Sequence, residues 1–145
     1  MSVINEFSSG VLREFAHFSL GELRGCGMSR HVFDHPTNPN KVIKVELGGG
    51  CFQNVKEWEF WKDVQFEKDV AKWLAPCYGI SYSGTFLIMA KAHDLRPHEI
   101  PEKLPAFLTD HKIENFGMLG KQIVCRDYGH VITRSSVAMR KWWGD

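Results

Sequence analysis

Four polar residues in the C-terminal third of the chain have side chains suited to one kind of chemistry. Asp110, Lys112 and Asn115 lie close together, and Asp127 opens a D-Y-G triplet twelve residues after Asn115. A carboxylate can accept a hydroxyl proton, an amide and a second carboxylate can hold Mg²⁺, and a lysine can offset charge on a moving phosphoryl group. Each residue alone is common, but the ordered set points to phosphoryl transfer.

The elements that precede this cluster begin with a predicted helix and two strands. Apolar spacing over 11–18 predicts a short amphipathic helix packed on the body of the protein. Residues 31–33 and 41–45 read as strands joined by a turn rich in proline and asparagine. A glycine-containing turn precedes the first of these strands.

A longer helix is predicted after the three consecutive glycines that end at Gly50. Apolar residues recur every third position, which predicts a helix over 53–66 with this face turned inward. They are Val55, Trp58, Trp61 and Val64. A second, shorter helix is expected over 68–74, where it would stop before a proline.

Two hairpins and a linker complete the pattern. Residues 78–82 and 85–89 flank a Ser-Gly turn, and 118–124 reads as a hairpin that turns at a Gly-Lys pair. Residues 90–105 read as a linker with little regular structure, ending in a helical turn over 105–108. This order predicts an α+β layout with an antiparallel sheet and one main helix packed across it.

The tail, residues 135–145, reads as a short helix that carries Trp142 and Trp143. These two indoles would either cap the end of the protein or form an exposed interface patch.

This order of elements resembles the protein-kinase fold in miniature and is similar to short kinase-like proteins of bacteria and their phages. The resemblance covers about residues 23–129. It implies an N-lobe made of an antiparallel sheet and one main helix, a strongly reduced C-lobe, and a single minimal domain over 1–145.

The glycine-rich loop of that family resembles Gly25-x-Gly27, with Val32 at the position that covers the adenine. Arg30 stands at the position of the third glycine. A G-x-G pair is also what a plain turn contains, and that alternative stays open.

Val42-Ile43-Lys44 resembles the strand that carries the family's phosphate-binding lysine, and Glu57 on the next helix is its implied partner. The alternatives are a solvated lysine at a strand edge and a glutamate on an exposed helix face. Met89 is implied as the residue beside the adenine, with Ala90 to Ala92 as the hinge, although Met89 also suits an ordinary core position.

The resemblance assigns Asp110 as the catalytic base, Lys112 as the lysine that contacts the γ-phosphate, and Asn115 and Asp127 as metal ligands. Lys112 favours the protein-kinase type over aminoglycoside-type phosphotransferases, whose loop lacks that lysine. In the alternative interpretation, Asp110 and Asn115 only cap turns.

The chain departs from the family where substrates are held. Leu108 and Thr109 replace the usual His-Arg before the aspartate, and only sixteen residues follow Gly129. The expected function is binding of ATP and Mg²⁺ with phosphoryl transfer to a hydroxyl acceptor. The alternative is a weak or inactive pseudokinase that acts by binding a partner protein. Expected partners are a nucleotide and a protein substrate or regulated protein.

Composition excludes several other classes. The chain has 145 residues, a net charge of +1 and 43% hydrophobic residues, which favours a globular protein over a disordered, nucleic-acid-binding or membrane protein. Four scattered cysteines and no secretory signal indicate a cytoplasmic protein with free thiols. Seven histidines show no zinc-site spacing. Cys125 is expected in the interior.

Overall fold

A computed structural model describes residues 8–27, 29–48, 50–131 and 136–141. The fold is α+β with mostly antiparallel strands, as predicted. The described residues form a five-stranded sheet whose strands are, in spatial order, β1 (Leu23–Cys26), β2 (Arg30–Asp34), β3 (Lys41–Glu46), β5 (Phe86–Ala90) and β4 (Cys77–Ile80). The sequence patterns indicated four of these strands, and β1 was missed within the predicted glycine turn.

The first helix, α1 (Ser9–Ser19), begins where the Ser8 hydroxyl accepts a hydrogen bond from the Val11 amide at 3.3 Å. The predicted helix is therefore present, but its predicted packing is wrong. None of its described residues is buried, and Phe15 and Phe18 are 65% and 77% exposed.

The second helix, α2 (Gln53–Val64), lies across β3, β4 and β5 and is followed by the short helix α3 (Lys68–Ala71). The orientation of α2 differs from the predicted one. The face that is buried against the sheet carries two polar residues, whereas the prediction placed only apolar residues there. The buried residues of α2 are Asn54, Glu57, Phe60 and Val64. Trp58 and Trp61 lie partly buried beside this face. The helix is turned so that its polar pair meets polar groups of the sheet, while the large indoles cover the flanks.

The C-terminal half contains the predicted hairpin, β8 (Phe116–Leu119) and β9 (Gln122–Cys125). The strand β6 (His93–Asp94) extends this hairpin into a three-stranded sheet, and β7 (Lys103–Pro105) pairs with β10 (Met139–Lys141). Short 3₁₀ helices cover Pro97–Glu99 and Ile113–Asn115.

Two predictions for this half are corrected. The segment 90–105 is more regular than a linker, since it holds β6, β7 and a 3₁₀ turn. The tail forms a strand at Met139–Lys141 where a helix was predicted. Both errors have one cause, because β6 and β10 obtain backbone hydrogen bonds from strands distant in the chain. Trp142 and Trp143 lie outside the described residues.

The two larger sheets are joined beside α3. The Cys125 amide donates to the Trp73 carbonyl at 2.7 Å, and the Ala75 amide donates to the Cys125 carbonyl at 2.9 Å. Cys125 is buried, as predicted, and is a free thiol like the other three cysteines. This seam continues the hydrophobic core from β3, β5 and α2 into β8 and β9.

The contrast between α1 and the core predicts two different responses to truncation. Phe15→Ala should change the free energy of unfolding by less than about 0.5 kcal/mol, because the ring is exposed. Leu87→Ala removes a fully buried side chain and should cost about 2–5 kcal/mol. Urea unfolding of both variants measures this difference, and a large loss for Phe15→Ala would contradict the exposed position of α1.

Candidate functional site

The predicted ion pair between Lys44 and Glu57 is present in the interior. Lys44 on β3 is 4% exposed, and Glu57 on α2 is fully buried. The Lys44 Nζ atom donates to the two carboxylate oxygens at 2.9 and 3.2 Å. The alternatives of a solvated lysine and an exposed glutamate are therefore wrong.

Glu57 receives hydrogen bonds from three separate parts of the chain. Besides Lys44, the Arg30 guanidinium donates to Oε1, and the Tyr128 backbone amide donates to Oε2 at 2.7 Å. Burial alone would raise the pKa of Glu57, but the charges of Lys44 and Arg30 outweigh burial and lower it. The group is therefore a carboxylate at neutral pH.

Arg30, the first residue of β2, connects Glu57 to Asp127. Its guanidinium is nearly buried and forms ion pairs with both carboxylates, with Nη2 lying 2.8 Å from Asp127 Oδ1. Burial opposes the charge of Arg30, but Glu57 and then Asp127 raise its pKa. Arg30 therefore places a second cation beside Lys44, inside the cluster of charged groups.

Asn54 holds this arrangement together from α2. Its Nδ2 atom donates to the carbonyls of Lys44, Gly84 and Thr85 at 3.1, 2.9 and 3.0 Å, and its Oδ1 atom accepts from Arg30 at 3.2 Å. The buried amide thus joins the helix to β3 and to the turn between β4 and β5. Its polar contacts are fully satisfied, as burial requires.

Asp127 lies on the same side of the molecule as the Lys44 amine. The Lys44 Nζ atom also donates to the Arg126 carbonyl, one residue before Asp127. The Asp127 side chain is 46% exposed, so one face of this carboxylate is open to solvent. An ammonium, a guanidinium and two carboxylates therefore meet at one place.

Tyr128 anchors the segment that carries Asp127. Its side chain is fully buried, and its hydroxyl donates to the Ala75 carbonyl at 2.8 Å and contacts Cys77 Sγ at 3.1 Å. Gly129 allows a close approach to α2, because a Cβ there would lie 3.0 Å from the Gln53 carbonyl oxygen. The D-Y-G triplet therefore places its tyrosine inside and its aspartate partly exposed beside Arg30.

The loop from Asp110 to Asn115 is folded on itself. The Asn115 Nδ2 atom donates to the Asp110 carbonyl at 3.3 Å, and the Asn115 amide donates to the Lys112 carbonyl at 3.0 Å. The Arg126 amide donates to the Asn115 carbonyl at 2.7 Å, which brings Asn115 beside the neighbour of Asp127. Asp110 is partly exposed and Lys112 is exposed.

The predicted glycine-rich turn lies above the cluster, between β1 and β2. Gly25 pairs with Val32 in the sheet, and the Gly27 amide donates to the Arg30 carbonyl at 2.7 Å. Val32 is partly buried against the core. This hydrogen bond closes the turn at Arg30, whose side chain is buried in the cluster of charged groups.

The predicted hinge follows β5. Met89 is fully buried and packs in the core, and Ala90 and Ala92 are nearly buried. The Ala90 amide donates to the Pro76 carbonyl at 2.9 Å, and the Ala92 carbonyl accepts from Arg126 Nη1 at 3.0 Å. The Lys91 amide also donates to the Asn40 carbonyl at 2.8 Å, so the protein already uses at least three of the backbone groups in this segment.

Arg126 connects this hinge to the loop that contains Asn115. Its guanidinium donates to the Ala92 carbonyl, to Asp94 Oδ1 at 2.7 Å and to the Glu114 carbonyl at 3.1 Å. Gly117 makes room for the crossing, since a Cβ there would lie 2.8 Å from the Ala92 Cβ. This side chain therefore joins the segment after β5 to the loop before β8.

Three of these residues were missed by sequence reasoning. Asn54 had a signal, because it lies three positions before Glu57 and hence on the same helix face. Arg30 was noticed only as a departure from the glycine pattern. Arg126 had no signal, since its partners come from three separate segments.

The residues that could hold a metal ion are Asn115 and Asp127. With Asn115 Nδ2 donating to Asp110, the amide oxygen is the atom left to bind a cation, and Asp127 adds a carboxylate. Such oxygen ligands fit Mg²⁺, which usually keeps waters and phosphate oxygens as further ligands. Arg30 already holds one Asp127 oxygen. Among the described residues, His, Cys, Asp and Glu form no cluster of three suited to a metal ion.

Comparisons with known proteins leave the site to be interpreted from its geometry. No protein-family model matches the chain, and no curated protein matches it significantly. In the part of the chain that the structure describes, no helix has both the length and the hydropathy needed to cross a bilayer.

Because Glu57 is paired with both Lys44 and Arg30, removing Glu57 and removing Lys44 should change the free energy of unfolding by different amounts. Glu57→Gln leaves two buried cations without their carboxylate and should cost about 3–5 kcal/mol of unfolding free energy. Lys44→Met should cost less, about 1–2 kcal/mol, because Arg30 still pairs with Glu57. Urea unfolding at pH 7 measures both, and equal losses would show that Arg30 does not compensate.

Glu57 also predicts a pH dependence. A carboxylate whose pKa is lowered on folding stabilises the protein above its ordinary pKa of 4.5, and this contribution is lost as pH falls through the lower folded value. The stability difference between the native protein and Glu57→Gln should therefore narrow below pH 4.5. A constant difference down to strongly acidic pH would contradict the charged state of Glu57.

Proposed function

We propose that this protein is a minimal kinase-like phosphotransferase, which binds ATP with Mg²⁺ and transfers the terminal phosphoryl group to a hydroxyl acceptor. The observation that carries the proposal is the buried Lys44–Glu57 pair, whose amine also bonds the carbonyl preceding Asp127. Residues from β3, α2 and the D-Y-G segment converge there. The five-stranded sheet with α2 packed across it is consistent with a kinase-like N-lobe.

The proposed roles follow from where the groups lie. Lys44 is held rigidly by Glu57 and would contact the α- and β-phosphates, while Lys112 is exposed and able to approach the γ-phosphate. Mg²⁺, bound by Asn115 and Asp127, would neutralise charge on the phosphates. Most of the catalytic effect would come from positioning and electrostatics, which a small frame can provide.

In the transfer step, the acceptor oxygen forms a bond to the γ-phosphorus as the bond to the β–γ bridging oxygen breaks. The hydroxyl proton passes to the Asp110 carboxylate, and ADP leaves. Asp110 is partly exposed, which suits a group that must meet an acceptor from solution.

A second candidate function is favoured by the two arginines. Arg30 holds Asp127, and Arg126 holds the Ala92 carbonyl, so parts of the metal and base sites are engaged within the chain. A pseudokinase that acts by binding a regulated partner protein would tolerate both contacts.

Nucleotide binding is tested by thermal unfolding with millimolar ATP and Mg²⁺. At a free concentration of about one hundred times Kd, ATP should stabilise the protein by about 2.7 kcal/mol, seen as a higher Tm. Lys44→Met should lose this shift. Lys41→Met is the matched control and should keep the shift in Tm. Lys41 lies three residues before Lys44 on β3, so its side chain points to the opposite face of the sheet. No shift for the native protein would contradict the proposal.

Transfer is tested with γ-labelled ATP and candidate proteins or small hydroxyl compounds. Asp110→Asn should lower labelling by about 10²- to 10⁴-fold while the thermal shift with ATP is retained. Glu114→Gln, an exposed change in the same loop, should label normally. Labelling that survives Asp110→Asn would exclude Asp110 as the base, and binding without any transfer would favour the pseudokinase.

A further inference from the structure

The Arg30 guanidinium lies where a triphosphate and its metal would otherwise be the main charges. Arg30 is 8% exposed and is held by Asn54, Glu57 and Asp127. Both carboxylate contacts are ion pairs, and the partners lie 27 and 97 residues away in the chain. A side chain with this many fixed partners has already lost its rotational freedom on folding.

The ion-paired groups around Arg30 carry balanced charges. Two cations, Lys44 and Arg30, face two anions, Glu57 and Asp127, while Glu46, which accepts a hydrogen bond from the Asn54 amide, adds a further negative charge nearby. Without the guanidinium the ion-paired groups would carry one excess negative charge and would repel a triphosphate unless a divalent cation were bound. With it, the ion-paired groups are together neutral, and the repulsion that a metal ion would have to overcome is largely removed.

The guanidinium also has donors to offer. It has five N–H bonds, of which three have acceptors among the described residues: two on Nη1 and one on Nη2. The two that remain can donate to phosphate oxygens, for which the planar guanidinium is well suited. Because the side chain is already ordered, little further entropy is lost when an anion binds.

Arg30 further competes with a metal ion for one ligand. Its Nη2 atom lies 2.8 Å from Asp127 Oδ1, so that oxygen is engaged whenever the guanidinium is in place. A cation at Asp127 would have to use the other oxygen or displace Arg30. Both effects lower the benefit of a metal ion to nucleotide binding.

We propose that Arg30 supplies, from within the chain, the charge neutralisation that a divalent cation would give, so that the site binds nucleoside triphosphate without a divalent metal ion. This inference rests on the proposed nucleotide site and deepens it. The metal ion then matters for transfer more than for binding, and Arg30 is a positioning residue for the phosphates.

The test measures Kd by calorimetry for ATP, and for inorganic tripolyphosphate, in excess EDTA and in excess Mg²⁺. For the native protein, the two Kd values for ATP should agree within about threefold. Arg30→Gly should bind ATP about ten- to a hundredfold more weakly in EDTA, as expected for a lost charged hydrogen bond, and Mg²⁺ should restore binding. Arg24→Ala, which removes an exposed, ion-paired arginine from the same sheet, is the control and should behave as the native protein does.

Tripolyphosphate separates the anion site from recognition of the base. It should bind the native protein in EDTA and lose affinity with Arg30→Gly. The comparison of Kd in EDTA and in Mg²⁺ can be made on the native protein alone. The proposed metal-independent binding therefore remains testable if Arg30→Gly fails to fold.

Two negative outcomes are distinguishable. If the Kd of the native protein for ATP is about tenfold or more higher in EDTA than in Mg²⁺, the proposed role of Arg30 is overturned and the proposed function still stands. Native protein that binds neither ATP nor tripolyphosphate in either condition overturns the proposed nucleotide site and, with it, this inference.

Discussion

The buried Glu57 carboxylate is the group on which the rest of the arrangement depends. A charge removed from water needs compensation of several kcal/mol, and here it comes from β3, β2 and the segment after β9. Because each donor lies on a different element, the carboxylate couples the positions of the sheet, α2 and the D-Y-G segment. Asn54, one helical turn earlier, strengthens the same coupling through backbone carbonyls.

Two arginines, Arg30 and Arg126, connect separate segments of the candidate site. Arg30 brings a cation to the place proposed for the phosphates, and Arg126 crosses beneath the segment proposed for the base. Both side chains have mostly fixed acceptors, which indicates ordered parts of the site. If the proposals above hold, charge balance within the chain would matter more than bound metal for nucleotide binding at this site.

Local hydrogen bonds hold the loop that carries Asp110 and Asn115 in the C-terminal half. The loop from Asp110 to Asn115 is closed by the Asn115 amide, and Arg126 ties the same loop to Ala92 and Asp94. These hydrogen bonds therefore brace the loop against the segment that contains Ala92 and Asp94. In the proposed function, these hydrogen bonds would position the base, Asp110, and the two metal ligands, Asn115 and Asp127.

The sequence by itself determined the local elements and most of the candidate residues. The strand pattern over 41–45, the turn at Ser83-Gly84 and the spacing from Asp110 to Asp127 are short-range patterns, whereas the Lys44–Glu57 contact that the structure contains was implied only by the resemblance to a family. Only the tertiary structure decided that α2 turns Asn54 and Glu57 inward, that α1 stays exposed, and that β6, β7 and β10 form. It also decided the roles of Arg30 and Arg126. Long side chains and short strands find partners far away in the chain, and local patterns carry no information about such partners.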